Sequence, residues 1–144
     1  MTKHMSEVTQ AISALVTEFY WRIDNDQGGS VAELFTEDAT VDTPFFALAG
    51  RRALHELFSH LPPDRLTCHS WSNMRVVEKG DGHYLAHTNT LTFAGVKPAP
   101  GQGAQVMAGT CTDLIIFDGE RPPFATRHLY PRFDGRIVAM EQPA

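Results

Sequence analysis

A chain of 144 residues is long enough for one domain with a real core, and 42% hydrophobic with 20% charged residues is ordinary globular composition, neither disordered nor fibrous. The formal net charge of -5, with no run of Lys and Arg, argues against nucleic acid or an anionic membrane surface as a partner. No apolar run approaches the roughly 20 residues of a membrane span, and MTKHMSEV at the N-terminus has no hydrophobic signal core, so a cytoplasmic location is expected.

In chain order, Val8, Ile12, Leu15, Val16, Phe19 and Ile23 recur at helical spacing after Ser6, a good N-cap. They predict an amphipathic helix over residues 7 to 25, ended by Gly28 and Gly29. Ser30 followed by Glu33 has the pattern of a capping box and opens a short second helix with Val31, Leu34 and Phe35. ATVDTPFFALAG reads as a short strand, a turn at Pro44 and a return; a third helix follows over 51–60, stopped by Pro62 and Pro63. Beyond Pro63 the period changes to two. Strands are predicted at 67–78, 84–94, 105–117 and 124–133, with turns at Gly80-Asp81-Gly82 and Asp118-Gly119 and a last short strand at 136–141 after Asp134-Gly135. Residues 96–104, rich in Pro and Gly, read as a loop outside the sheet.

Helices first and long strands afterwards imply an α+β fold, one domain over residues 1–144, with the helices covering one face of a mainly antiparallel sheet. The segments FYWRIDNDQGGSVAELFTEDATVDTP (19–44), FALAGRRALHELF (46–58) and LTCHSWSN (66–73), with the strands after them, carry a further reading. The chain resembles the SnoaL-like branch of the nuclear-transport-factor and ketosteroid-isomerase superfamily. That resemblance implies a cone-shaped α+β barrel, its N-terminal helices packed on a curved mixed sheet that encloses a pocket. It also implies a homodimer formed through the open face of the sheet.

LTCHSWSN is the stretch whose side chains call for a pocket. Strand alternation puts Thr67, His69, Trp71, Asn73 and Arg75 on one face. Tyr20 and Asp24 lie four apart on the first helix and share a face, and a carboxylate beside a core stripe needs a partner. In the cone architecture the first helix is expected near the strand of His69, so an Asp24–His69 hydrogen bond is predicted. A carboxylate on one imidazole nitrogen sets the tautomer and leaves the other nitrogen to take a proton. The resemblance is nearest to the scytalone-dehydratase-like members, which use an aspartate on the first helix and a histidine on the strand after the third helix; Asp24 and His69 stand at those places. Asp113 matches the place of a substrate-holding asparagine, with Cys111 near that of a serine. The second catalytic histidine of those enzymes falls near Phe93, with His87 six residues earlier. The ketosteroid isomerases place their base at Thr43 beside Asp42 and their tyrosine nearer Phe19 than Tyr20, which argues against that activity. Dioxygenase β-subunits share the fold in a structural role.

The expectation is therefore a cofactor-independent dehydratase or isomerase acting on a small, cyclic hydroxylated or carbonyl compound. Asp24 and His69 are the catalytic pair; Tyr20, Trp71, Asn73 and Asp113 contact the substrate. A non-catalytic module that binds a small hydrophobic ligand, or a structural subunit, is the alternative. His69, His87 and His128 come from separate strands without ligand spacing, so no metal is expected. His128 and Tyr130 share a strand face suited to a cavity mouth or an interface, and His55 and His60 read as surface positions. Cys68 and Cys111 read as reduced thiols, with Cys68 turned away from the His69 face. No nucleotide-binding motif is present.

Overall fold

The computed structural model describes residues 4–97, 103–117 and 121–138. Helix α1 (Met5–Asp24) buries Val8, Ile12, Leu15, Val16, Tyr20 and Ile23 along one stripe, the spacing that its sequence shows. A 3₁₀ helix (Gly28–Leu34) leads to β1 (Phe35–Asp42). A turn held by Thr43, whose hydroxyl oxygen accepts from the N–H groups of Phe45 and Phe46, returns the chain into β2 (Ala47–Ala49). Helix α2 (Arg51–Ser59) is followed by four long strands: β3 (Arg65–Gly80), β4 (His83–Val96), β5 (Ala104–Ile116) and β6 (Phe124–Ile137).

The sheet has the order β2-β1-β6-β5-β4-β3. Among the described residues only the β1–β6 pair is parallel, and the other pairings are antiparallel. The architecture is the expected α+β cone, with helices on one face of a curved mixed sheet; the sheet does not close, and β2 and β3 are its edges. Phe35, Phe124, Ile12, Leu54 and Ile115 are fully buried between the layers. Phe19 meets Phe35, Phe58 and Phe124 edge-on, with ring centroids 5.9 to 6.0 Å apart, and this joins α1, α2, β1 and β6 at one point.

Several local expectations change. Helix α1 begins at Met5 with His4 as N-cap and no side-chain cap, because Val8 is buried and its N–H bonds the His4 carbonyl at 3.0 Å. Ser30 forms no capping box: its hydroxyl donates to the Gln27 carbonyl, while Glu33 takes a bond from Arg22, and the segment stays 3₁₀. Gly28 lies so close to α2 that a Cβ there would meet the Phe58 carbonyl. Strand β6 runs through Asp134-Gly135 to Ile137 without a break, since Asp134 and Arg136 pair with Met107 and Gln105 of β5. Most of the 96–104 loop and the turn at Asp118-Gly119 lie outside the described residues.

The change with most consequence is a bulge in edge strand β3. Ser72 pairs with Asn89 but Arg75 pairs with His87, so two residues face one. Asn73 takes a left-handed conformation (φ 56°), and the alternation is reset: Met74 and Val76 turn toward the core, Asn73 and Arg75 toward solvent.

Ile12 has no exposed surface and is packed from all sides. Ile12→Ala is expected to lower stability by about 2–5 kcal/mol, read as the shift in the midpoint of urea unfolding at unchanged slope.

Candidate functional site

At the C-terminal end of α1 the helix and sheet diverge around a cavity of about 430 Å³. Its walls are mostly apolar: Phe19 and Ile23 from α1, Val41 from β1, Phe58 from α2, Met107 from β5 and Leu129 from β6. Against them stand a few polar groups, among them Tyr20, Arg65, Thr67, His69, Thr90 and Arg127. Apolar walls of this kind strengthen a charge interaction made against them.

Asp24 and His69 meet at its edge. His69 Nδ1 lies 2.6 Å from Asp24 Oδ1, and the His69 backbone N–H donates to Oδ2 at 2.8 Å. The Thr67 hydroxyl adds a bond to Oδ1, also at 2.8 Å. Burial pushes the Asp24 carboxyl up, but the donors from the His69 ring, the His69 backbone and Thr67 outweigh it and hold the carboxyl below its usual range. An ionised Asp24 accepts the Nδ1 proton; in the neutral imidazole this leaves the lone pair on Nε2, which has no hydrogen-bond partner among the described residues. The Tyr20 ring stacks on the imidazole with centroids 4.9 Å apart and planes 14° off parallel. Burial pushes the Tyr20 phenol up to about 12 against the pull of Arg127, so it stays a neutral donor.

Arg127 is the functional candidate that sequence reasoning missed. It is 4% exposed, and its Nε donates to Asp113 Oδ1 at 2.8 Å. Its Nη2 donates to the Cys111 sulfur at 3.3 Å and reaches the Tyr20 hydroxyl at 3.5 Å. The guanidinium also lies over the rings of Phe19 and Phe124, at 4.3 and 4.4 Å. Burial works against the cation, but Asp113 opposes it and Arg127 is held above its ordinary value; burial raises the Asp113 carboxyl against the pull of Arg127. Burial also pushes the Cys111 thiol up to about 11, which leaves it a thiol and a poor nucleophile. The signal for Arg127 was present as a charge of opposite sign to Asp113 at the facing register position, where an apolar residue is normal.

Three of the six site residues read from sequence come together: Asp24, His69 and Tyr20. Asp113 faces inward but lies beneath Arg127, off the cavity wall, so a direct substrate contact is not what its position offers. Trp71 shares the His69 face, yet its indole N–H donates to Thr17 at 3.1 Å and it packs between α1 and β3, outside the cavity. Asn73 is turned to solvent by the bulge. His87 is exposed on the outer face, bonded to Thr112, and His128 stacks on Tyr130 at 3.9 Å. Cys68 is exposed and Cys111 buried, both free. No group of three His, Cys, Asp or Glu among the described residues could hold a metal ion. No helix of the described residues is long and apolar enough to cross a membrane.

A family model described as a SnoaL-like domain matches residues 5–121. None of the curated proteins matches the chain in sequence. Among solved structures, the fold is similar to a protein provisionally named scytalone dehydratase from Novosphingobium aromaticivorans, 17% identical, covering 94% of this chain and 95% of that one with a TM-score of 0.78. A hexachlorocyclohexane dehydrochlorinase from Novosphingobium barchaimii is 15% identical over 94% and 95% of the two chains, with a TM-score of 0.77. The β subunit of a benzoate 1,2-dioxygenase from Burkholderia mallei is also 15% identical, covering 92% and 93%, with a TM-score of 0.73.

Two measurements follow from this geometry. Asp113→Ala and Asp113→Asn each leave the Arg127 cation buried without its carboxylate, and each is expected to cost about 3–5 kcal/mol in urea unfolding. Asp24 has a folded pKa below its unfolded value, so its contribution is complete above the unfolded carboxylate pKa and is lost as pH falls through the folded one. The stability gap between the wild type and Asp24→Asn should accordingly narrow as pH falls below the ordinary carboxylate range, read as urea-unfolding midpoints against pH.

Proposed function

The chain belongs to the SnoaL-like domain family, and from that premise we propose that it is a cofactor-independent lyase or isomerase of small, cyclic hydroxylated or carbonyl compounds. The observation that carries this reading is the Asp24–His69 bond of 2.6 Å beside a cavity with apolar walls, with Nε2 unengaged by any described residue. The names of two similar structures, a dehydratase and a dehydrochlorinase, both describe eliminations.

In the proposed mechanism Asp24 orients His69 and stabilises the imidazolium that forms. His69 Nε2 takes a proton from the carbon next to the substrate carbonyl, and the C–H electron pair moves toward the carbonyl oxygen as an enolate. Tyr20 donates a hydrogen bond to that oxygen, and the cation of Arg127 beside the Tyr20 hydroxyl favours the developing negative charge. In a dehydration the enolate pair then expels the β-hydroxyl, which leaves as water with the proton carried by His69. In an isomerisation His69 returns the proton to a different carbon. Asp113 acts through Arg127, while Trp71 and Asn73 have no part in substrate binding.

A panel of cyclic ketones and β-hydroxyketones in D₂O tests this, with deuterium uptake followed by NMR and elimination by the absorbance of the conjugated product. His69→Ala is expected to lose about 10² to 10⁴ in rate while keeping its far-ultraviolet circular dichroism. Full activity in that variant ends the mechanism. Ligand binding by the wild type with neither exchange nor elimination would favour a non-catalytic binding module.

The second reading, a structural subunit, is favoured by the likeness to the dioxygenase β subunit and by exposed Leu66, Leu91, Phe133 and Ile137. We expect these side chains to be covered in a cytoplasmic homodimer. Light scattering at micromolar concentration should give twice the chain mass; a monomer contradicts the dimer, and co-purification of a larger subunit supports the structural role.

A further inference from the structure

We propose that Arg65 and Thr67 are positioning residues, a clamp that fixes the tautomer and ring orientation of His69 through Asp24. The inference rests on the Asp24–His69 reading and deepens it, since neither residue takes part in the proton transfers.

Arg65 Nη1 donates to Thr67 Oγ1 at 2.8 Å, and Thr67 Oγ1 lies 2.8 Å from Asp24 Oδ1. A guanidinium has no acceptor and a hydroxyl has a single proton. Thr67 must therefore accept from Arg65 and direct that proton to Asp24. Asp24 Oδ1 then receives the Thr67 hydroxyl and faces His69 Nδ1 at 2.6 Å, while Oδ2 receives the His69 backbone N–H at 2.8 Å. With both oxygens engaged as acceptors the carboxylate is kept in its ionised form, and Nδ1 carries a proton toward it. In the neutral imidazole that tautomer leaves the lone pair on Nε2. Without Arg65 the Thr67 hydroxyl could turn and accept from elsewhere, and one of the three constraints on the carboxylate would go.

Arg65 holds the other side of the pair as well. Its Nη2 donates at 2.7 Å to the carbonyl of Ile23, the residue before Asp24. That carbonyl belongs to the last turn of α1, where the helix leaves its own acceptors unused and where a cation is favoured. One guanidinium thus ties the backbone at Asp24 to the strand that carries His69. Thr67 and His69 stand two apart on β3, on the same face, so both reach one carboxylate.

The test is NMR of ¹⁵N-labelled protein, reading the tautomer of His69 and the exchange of its Nδ1 proton with solvent. The wild type should show a single Nδ1–H tautomer with a protected proton. Thr67→Val, which keeps the shape and removes the hydroxyl, is expected to speed that exchange about ten-fold or more and to populate the other tautomer. Thr67→Ser should restore the wild-type behaviour, and Arg65→Met should move the readout in the same direction as Thr67→Val while providing the measurement if that variant does not fold. Wild-type exchange and tautomer in both Thr67→Val and Arg65→Met overturn the clamp. Asp24→Asn separates the two readings: loss of the protected proton there with no effect of the clamp variants leaves the pair intact without its clamp, whereas a protected proton in Asp24→Asn overturns the pair and the clamp together.

Discussion

The carboxylate of Asp24 is the point on which the arrangement of helix and sheet around the cavity depends. It sits in the last turn of α1, where it is partly removed from water, and a charge in that position must be met by donors. Strand β3 supplies three, from Thr67 and from the backbone and ring of His69. Farther along, the same strand meets α1 again through Trp71 with Thr17 and Met74 with Ser13, so β3 tracks the helix from its C-terminal end toward its N-terminal end. The cavity lies beside the C-terminal end of this seam, where Phe19, Tyr20 and Ile23 of α1 line it together with Thr67 and His69 of β3.

A second buried charge shapes the cavity from the opposite side. Arg127 and Asp113 face each other across β6 and β5, and the guanidinium is enclosed by Phe19 and Phe124. Burying such a pair is costly, and the aromatic faces and the Cys111 and Tyr20 contacts offset part of that cost. The outcome is a cation held beside the hydroxyl of Tyr20, whose ring stacks on the His69 imidazole. Two ionic groups of different character thus border one apolar space, a carboxylate that orients a base and a guanidinium that favours negative charge on oxygen.

The fold alone does not settle what such a space is for. Structures of the same shape carry the names of a dehydratase, a dehydrochlorinase and a dioxygenase β subunit. Function in a shared architecture is decided by the side chains at the site. What speaks for proton chemistry here is local: an imidazole with one nitrogen engaged, an un-ionised phenol stacked on it and an open cavity beside them.

Much of this was legible in the sequence. The apolar stripe of α1, the change to period two after Pro63 and the strand positions follow from side-chain periodicity, which reflects which face is buried. Tyr20 and Asp24 share a helix face by spacing, and His69 was legible as a partner once the fold brought β3 against α1. Tertiary structure decided the rest. Alternation along a strand holds only while pairing is regular, and one left-handed residue at position 73 turned Asn73 outward and Met74 inward. The Arg127–Asp113 pair depends on the register between β5 and β6, which neither segment encodes alone. Arg65 reaches Ile23 from 42 positions away, a contact that only the packed helix and strand create. Local periodicity records burial, whereas the partner of a buried charge is set by how separate segments meet.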